Sequence, residues 1–331
     1  MKKLTVLAAA LLGAVVSFPA LAQWKPEKPI TVIVPYPAGG VTDLAVRVAA
    51  ADLEPVLGQK VVVVNQPGAN GSVGTTAVMD APHDGYTWAS GGLRDLGTYG
   101  VMDMIDTKME DWNLYIIASM SSILSVNNDA GVDTVQSFVD KVKAEGDKFL
   151  IATAGPNSSG GSALGAIALA TGIEPKQIVY DGGNPAILAT VSGEAQATTQ
   201  LALEQAEMIR AGKLKPLAAI GASDIKLGDI VIPAITKDIP NLPPAENFVG
   251  IWLPKDVPAE VTETLQKVWV ETLSKSAELD KLCTTRGCGA KPLAGTDAEA
   301  VGKPAIQAAA WSLFDRGVAK VSPDTVGIAR P

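Results

Sequence analysis

Chemistry needs reactive side chains at set spacings, and this chain offers few. Its single histidine, His83, stands in Ala81-Pro-His-Asp-Gly-Tyr86, a polar turn ahead of an apolar run. No Gly-x-Ser-x-Gly elbow accompanies it, so a serine triad is disfavoured and His83 reads as a surface turn residue. No His-Glu-x-x-His, EF-hand or Gly-x-x-x-x-Gly-Lys-Ser/Thr spacing occurs, and Gly39-Gly40 and Gly68-Ala-Asn70-Gly71 fall short of a dinucleotide fingerprint. Nothing supplies an activated nucleophile, so the expectation is no enzyme, no metal and no cofactor. A secreted hydrolase would rest on loop serines alone. What remains are polar side chains in glycine-rich loops: Tyr36, Thr42, Asp43, Asn70, Asn157, Ser158, Ser159, Asp181 and Asn184. Four of them also have a structural reading: Asp43, Ser158 and Ser159 as helix caps, Asp181 as a turn former.

The first of these loops has the clearest physical meaning. Ile30 to Val34 is apolar and β-branched, as in a strand buried on both faces. Pro35 and Pro37 end it, Gly39-Gly40 permit a turn, and Thr42 or Asp43 then caps a helix reaching about Glu54. Such a strand–loop–helix unit leaves free N–H groups at the helix start, where the helix dipole is positive. That is a pocket for an anion.

Similar units follow. Lys60 to Val64 reads as a second buried strand with a loop from Asn65 to Gly74, and Tyr86 to Ser90 as a third with Gly91-Gly92 at its end. The economical arrangement is a parallel sheet. Tyr115 to Ala118 and Ile123 to Val126 read as strands on either side of a crossing at Ser119 to Ser122. The plan then repeats: a helix over Thr134 to Ala144, a strand over Phe149 to Thr153, and the loop Gly155 to Ser162 with a helix to Ala170. A strand over Gln177 to Tyr180 ends at Asp181-Gly182-Gly183-Asn184, and a helix from Pro185 reaches Val191. Lys215 to Ile220 leads back, Pro240, Pro243 and Pro244 mark a return loop, and the C-terminal part is helical over 258–274, 276–282 and 297–316. Trp252 is placed either in the core or at the cleft; Trp112, Trp269 and Trp311 read as core. The division is residues 23–121 with 246–331 as lobe 1 and 122–245 as lobe 2, two α/β lobes with glycine loops facing across a hinged cleft.

The first residues read as an export signal. Lys2 and Lys3 precede the apolar Leu4 to Val16, and Ala20-Leu21-Ala22 offers small residues for cleavage after Ala22. The apolar run is too short to span a bilayer. The whole chain carries 27 basic and 35 acidic residues; losing those two lysines leaves 25 against 35, or −10. That argues against nucleic acid, but not against a small anion held by local N–H groups, because surface charge is screened beyond about 8–10 Å. In an exported protein Cys283 and Cys288 read as a local disulfide, and without nearby histidines they make a poor zinc site.

Several segments together resemble one family. Pro35-Tyr-Pro-Ala-Gly-Gly-Val-Thr-Asp43, Gly58-Gln-Lys-Val-Val-Val-Val-Asn65-Gln-Pro-Gly-Ala-Asn-Gly71, Pro82-His-Asp-Gly-Tyr-Thr87 and Val179-Tyr-Asp-Gly-Gly-Asn-Pro-Ala186 are similar to motifs of the TctC-like, or Bug, solute-binding proteins of tripartite tricarboxylate transporters. The resemblance implies a two-lobed, type II Venus-flytrap fold that catalyses nothing and needs no cofactor. It implies capture of a di- or tricarboxylate, acidic amino acid or aromatic acid in the periplasm. The expected partners are that acid and integral-membrane permease subunits, with no nucleic acid and the chain a monomer; the alternative is a sensory protein presenting its closed form to a receptor kinase. Carried over as ligand-binding are Ala38, Gly39, Gly40, Thr42 and Asp43, then Asn157, Ser158 and Ser159, then Asp181, Gly182 and Gly183; Tyr36 and Asn70 join them from the residue reading. The second lobe departs from the family. Gly155-Pro-Asn-Ser-Ser-Gly-Gly161 lacks the usual histidine, Asp181 replaces a basic residue, and Ser192-Gly-Glu-Ala-Gln196-Ala lacks the terminal acid. An acid beside the pocket would favour a ligand with a hydroxyl or amino group.

Overall fold

The computed structural model describes residues 24–242 and 247–331; the segment expected to be an export signal and Pro243-Pro244 lie outside them. The chain opens with β1 (Ile30–Val34), α1 (Val41–Leu57), β2 (Val61–Asn65), α2 (Ser72–Met79), β3 (Thr87–Gly92), α3 (Asp95–Val101) and β4 (Trp112–Met120). It crosses to β5 (Ser122–Val126), α4 (Val135–Glu145), β6 (Leu150–Thr153), α5 (Ser159–Thr171), β7 (Lys176–Val179), α6 (Gly183–Ser192), β8 (Ala197–Thr198), α7 (Ala202–Arg210) and β9 (Lys215–Ile220). A hairpin, β10 (Ile225–Leu227) and β11 (Ile230–Ile232), precedes the return through β12 (Asn247–Pro254), α8 (Ala259–Leu273), α9 (Ala277–Arg286), β13 (Cys288–Ala294) and α10 (Gly295–Asp315).

Two sheets result, ordered β13-β4-β12-β3-β1-β2 and β7-β6-β8-β5-β9. They are mixed and not parallel as expected. β1 pairs β2 and β3 in parallel, and β6 pairs β7 and β8 in parallel. The strands that pass between the lobes run against their neighbours: β12 against β3 and β4, and β5 against β8 and β9. Each returning strand lies beside the one that left, β12 beside β4 and β9 beside β5, so a chain that crosses over and comes back pairs antiparallel there.

Each sheet is covered on both faces. In lobe 1, α1, α8 and α9 pack on one face with Trp88, Tyr115 and Trp269, while α2, α3 and α10 pack on the other with Trp112 and Trp252. In lobe 2, α4 and α5 cover one face, α6 and α7 the other. Trp252 is fully enclosed, so it is core and does not line the cleft. Cys283 and Cys288 are disulfide-bonded and tie the end of α9 to the start of β13.

Several local expectations shift. Helix α1 is capped by Gly40, not Thr42 or Asp43, and it runs past Pro55 to Leu57 before Gly58 ends it in the left-handed region. Pro55 costs only one late hydrogen bond there. Strand β2 is the sheet edge, so Val62 and Val64 are exposed. Gly91 and Gly92 belong to β3, opposite Gly250 and Val249.

Candidate functional site

Lobe 1 presents the end of β1 and the start of α1. Gly39 sits at φ +79°, which favours glycine. Helix α1 has no side-chain cap, and its first internal bond runs from Leu44 N–H to the Gly40 carbonyl. The N–H groups of Val41, Thr42 and Asp43 therefore lie ahead of the helical ladder, at the positive end of a 17-residue helix. Asp43 holds this loop in place from behind. Only 2% exposed, its carboxylate accepts hydrogen bonds from Gly39 N–H (2.9 Å), Arg47 Nε (3.0 Å) and Asn65 Nδ2 (2.9 Å). Burial alone would raise its proton affinity, but the bonds from Arg47, Gly39 and Asn65 outweigh that and hold the carboxyl below its usual range. Asn65 also donates to the Tyr36 carbonyl, and the Tyr36 hydroxyl donates to Asp95 at 2.8 Å. Thr42 is buried, whereas Ala38 and Gly39 form the exposed tip.

Lobe 2 presents the loop between β6 and α5. Gly161 is required, because a Cβ there would stand 2.0 Å from the Gly155 carbonyl oxygen. Ser158 caps α5: its Oγ accepts from Gly161 N–H at 3.0 Å and donates to the Gly155 carbonyl at 2.7 Å. Ser159 and Asn157 instead reach the other lobe. Ser159 Oγ accepts from Asn247 Nδ2 at 2.8 Å, and Asn157 Oδ1 faces Asn70 Nδ2 at 3.4 Å.

At the end of β7, Asp181 points into solvent, while Gly182 caps α6 without any side-chain acceptor. A Cβ on Gly183 would stand 2.4 Å from both carboxylate oxygens of Glu204, in the first turn of α7. Burial pushes Glu204 up to about 7, opposed only by a backbone bond from Leu201, and its Oε2 has no hydrogen-bond partner. The acid beside the second-lobe loop is thus Glu204 more than Asp181.

Two arginines complete the rim. Arg94, in the turn after β3, is 7% exposed and donates from Nη2 to Ser162 Oγ in α5; its Nε has no partner. Arg316, just past α10, donates to the carbonyls of Gly161 and Pro156, each at 3.2 Å. Burial lowers the proton affinity of both, and the Arg94 charge helps bring Arg316 to about 10. Of the sequence-derived set, Asn70, Asn157 and Ser159 meet across the lobes, Asp43 and Ser158 are committed within their own loops, and Asp181 stands apart. Arg94, Asn247, Glu204 and Arg316 were not foreseen; Arg94 alone carried a signal, following a strand that ends in Gly-Gly.

His83 is held by Asp256 (2.5 Å) and the Met79 carbonyl (3.1 Å), and both ring nitrogens are occupied by these contacts. Among the described residues, no group of three or more His, Cys, Asp or Glu side chains is placed to hold a metal. No helix among them is long and apolar enough to cross a membrane.

The sequence and the fold are similar to those of known proteins. BugT of Bordetella pertussis is 27% identical over 315 residues, 93% of this chain and 95% of its own. The solved structure of Rpa4515 from R. palustris with adipate superposes with a TM-score of 0.79 at 21% identity, covering 89% of this chain and 99% of that one. MatC of Rhodopseudomonas palustris with bound malate gives 0.75 at 20% identity, covering 87% and 99%. A model described as "Tripartite tricarboxylate transporter family receptor" matches residues 45–291, starting just after the first glycine loop. With two α/β sheets whose glycine loops meet through Asn70–Asn157 and Asn247–Ser159, and a family match over most of its length, the chain belongs to the tripartite tricarboxylate transporter receptor (TctC, or Bug) family of periplasmic solute-binding proteins, which bind and do not catalyse.

Proposed function

We propose that this protein captures a small organic carboxylate between its lobes in the periplasm and delivers it to the membrane permease of a tripartite transporter. The observation that carries this reading is the uncapped start of α1: a long helix whose first N–H groups have no acceptor of their own, held in place by Asp43. The adipate and malate in two structural neighbours support the ligand class. In this reading residues 23–121 with 246–331 form one lobe and 122–245 the other, cleavage after Ala22 frees a monomer, and the ligand meets Tyr36, Ala38, Gly39, Gly40, the Thr42 and Asp43 amides and Asn70 on one side. Asn157, Ser158, Ser159, Gly182 and Gly183 line the other, with Asp181 left in solvent.

A thermal-shift screen of the mature protein against organic acids, amino acids and sugars tests this. A ligand at a hundredfold excess over its Kd stabilises the native state by about 2.7 kcal/mol. Shifts confined to carboxylates are expected; shifts confined to uncharged compounds would overturn the ligand class. Loss of acid uptake on deleting the gene separates transport from a sensory role.

A further inference from the structure

We propose that the corner between β8 and α7, through Gln200 and Glu204, reads the far end of the bound acid as an uncharged group that both accepts and donates hydrogen bonds, a primary carboxamide, and turns a second carboxylate away. This rests on the carboxylate reading above and gives the other end of the ligand its chemistry. Gln200 is 3% exposed and lies against the start of α5, where a Cβ on Gly160 would stand 2.6 Å from its Nε2. Glu204, in the first turn of α7, lies against the start of α6 at Gly183. Gln205 fixes the corner from behind, its Nε2 donating to the carbonyls of Gln200 (2.6 Å) and Ile123 (2.7 Å).

Each of these two side chains keeps one enclosed polar atom without a partner: a donor, Gln200 Nε2, and an acceptor, Glu204 Oε2. Leaving such a group unmet is costly, so a ligand that meets it is selected over one that does not. A carboxamide matches the pair, offering its carbonyl oxygen to Gln200 and an N–H to Glu204. A second carboxylate would satisfy Gln200 alone and bring a like charge to Glu204. No cation offsets that charge: burial and a backbone bond from Leu201 account for the proton affinity of Glu204, and the loop from Tyr180 to Pro185 contributes Asp181 and no lysine or arginine. Arg94 and Arg316 are engaged elsewhere, Arg94 with Ser162 and the buried charge of Asp95, Arg316 with the carbonyls of Gly161 and Pro156.

Calorimetric titration of the mature protein at pH 8 tests the inference, with succinate, glutarate and adipate, each beside its monoamide and its monomethyl ester. At least one monoamide should bind tenfold or more tighter than both its diacid and its ester, because the ester accepts a hydrogen bond but cannot donate one. Glu204→Gln, which keeps the shape and removes the charge, should bring diacid and monoamide within threefold of each other. Gln200→Met should weaken monoamide and ester alike, at least fivefold, since both offer the same carbonyl.

Diacids that bind the wild type as tightly as their monoamides, or more tightly, overturn the proposal without any variant. A monoamide preference that Glu204→Gln leaves unchanged overturns it too. Esters that match their monoamides would show that no donor is read, with the same result. Binding of none of the nine compounds would refute the carboxylate reading itself, and this inference with it.

Discussion

Glu204 should make the stability of this protein fall as pH rises through neutrality. Its carboxyl is pushed from 4.5 up to about 7 by burial. Between those values the folded state holds a proton that the unfolded chain has released, so stability declines as pH rises through this window and the loss is complete above about 7. At about 1.36 kcal/mol for each tenfold change in proton affinity, the rise from 4.5 to about 7 corresponds to about 3 kcal/mol. Relaxation around an ionised Glu204 should reduce this to roughly 2 kcal/mol, or a few degrees in Tm. Glu204→Gln keeps the shape and cannot ionise. Melting both proteins from pH 5 to pH 9 is the assay, and the difference between them isolates Glu204 from Asp95, whose carboxyl burial also raises, to about 6. The curves should nearly coincide at pH 5, with the variant melting several degrees higher at pH 8. Parallel curves across the range would refute the reasoning, because they would mean that Glu204 ionises as freely in the native state as in the unfolded chain.

Other outcomes follow from the rim. Asp43→Ala removes the acceptor for Gly39, Arg47 and Asn65. With Arg47 half exposed and its share discounted, it should cost roughly 2–3 kcal/mol by denaturant titration and weaken carboxylate binding at least tenfold. Gly40→Val covers the open end of α1 and should weaken binding equally while Tm moves little; unchanged affinity in both variants would exclude this loop as the site. Replacing Cys283 and Cys288 with alanine opens a short loop and should lower stability by about 2 kcal/mol on melting, with ligand affinity unaltered.

Much of this architecture was legible because its signals are local. The β1–α1 and β6–α5 units announce themselves by a β-branched run, a glycine turn and a helical pattern, all within some 25 residues. Two of the elements that escaped reading lack such runs, whereas the apolar β12 was hidden behind the proline-rich return loop. Strand β8 has two residues, and β13 contains Pro292, tolerated because β13 is a sheet edge with an irregular register near it. Asp43 illustrates the divide within one residue. Its position after Gly-Gly marked it for the site, but whether its carboxylate faced a ligand or the loop's own amides depended on Arg47 and Asn65.

The sequence by itself determined the class of protein: no catalytic constellation, glycine loops at strand ends in both halves, and motifs shared with a family of binding proteins. Only the tertiary structure decided the electrostatics of the cleft. Arg94 and Arg316 come from distant parts of the chain, and Glu204 meets Gly183 only through the packing of α7 against α6. Charge and burial at a site depend on what folding brings within a few ångströms, and linear spacing does not carry that information.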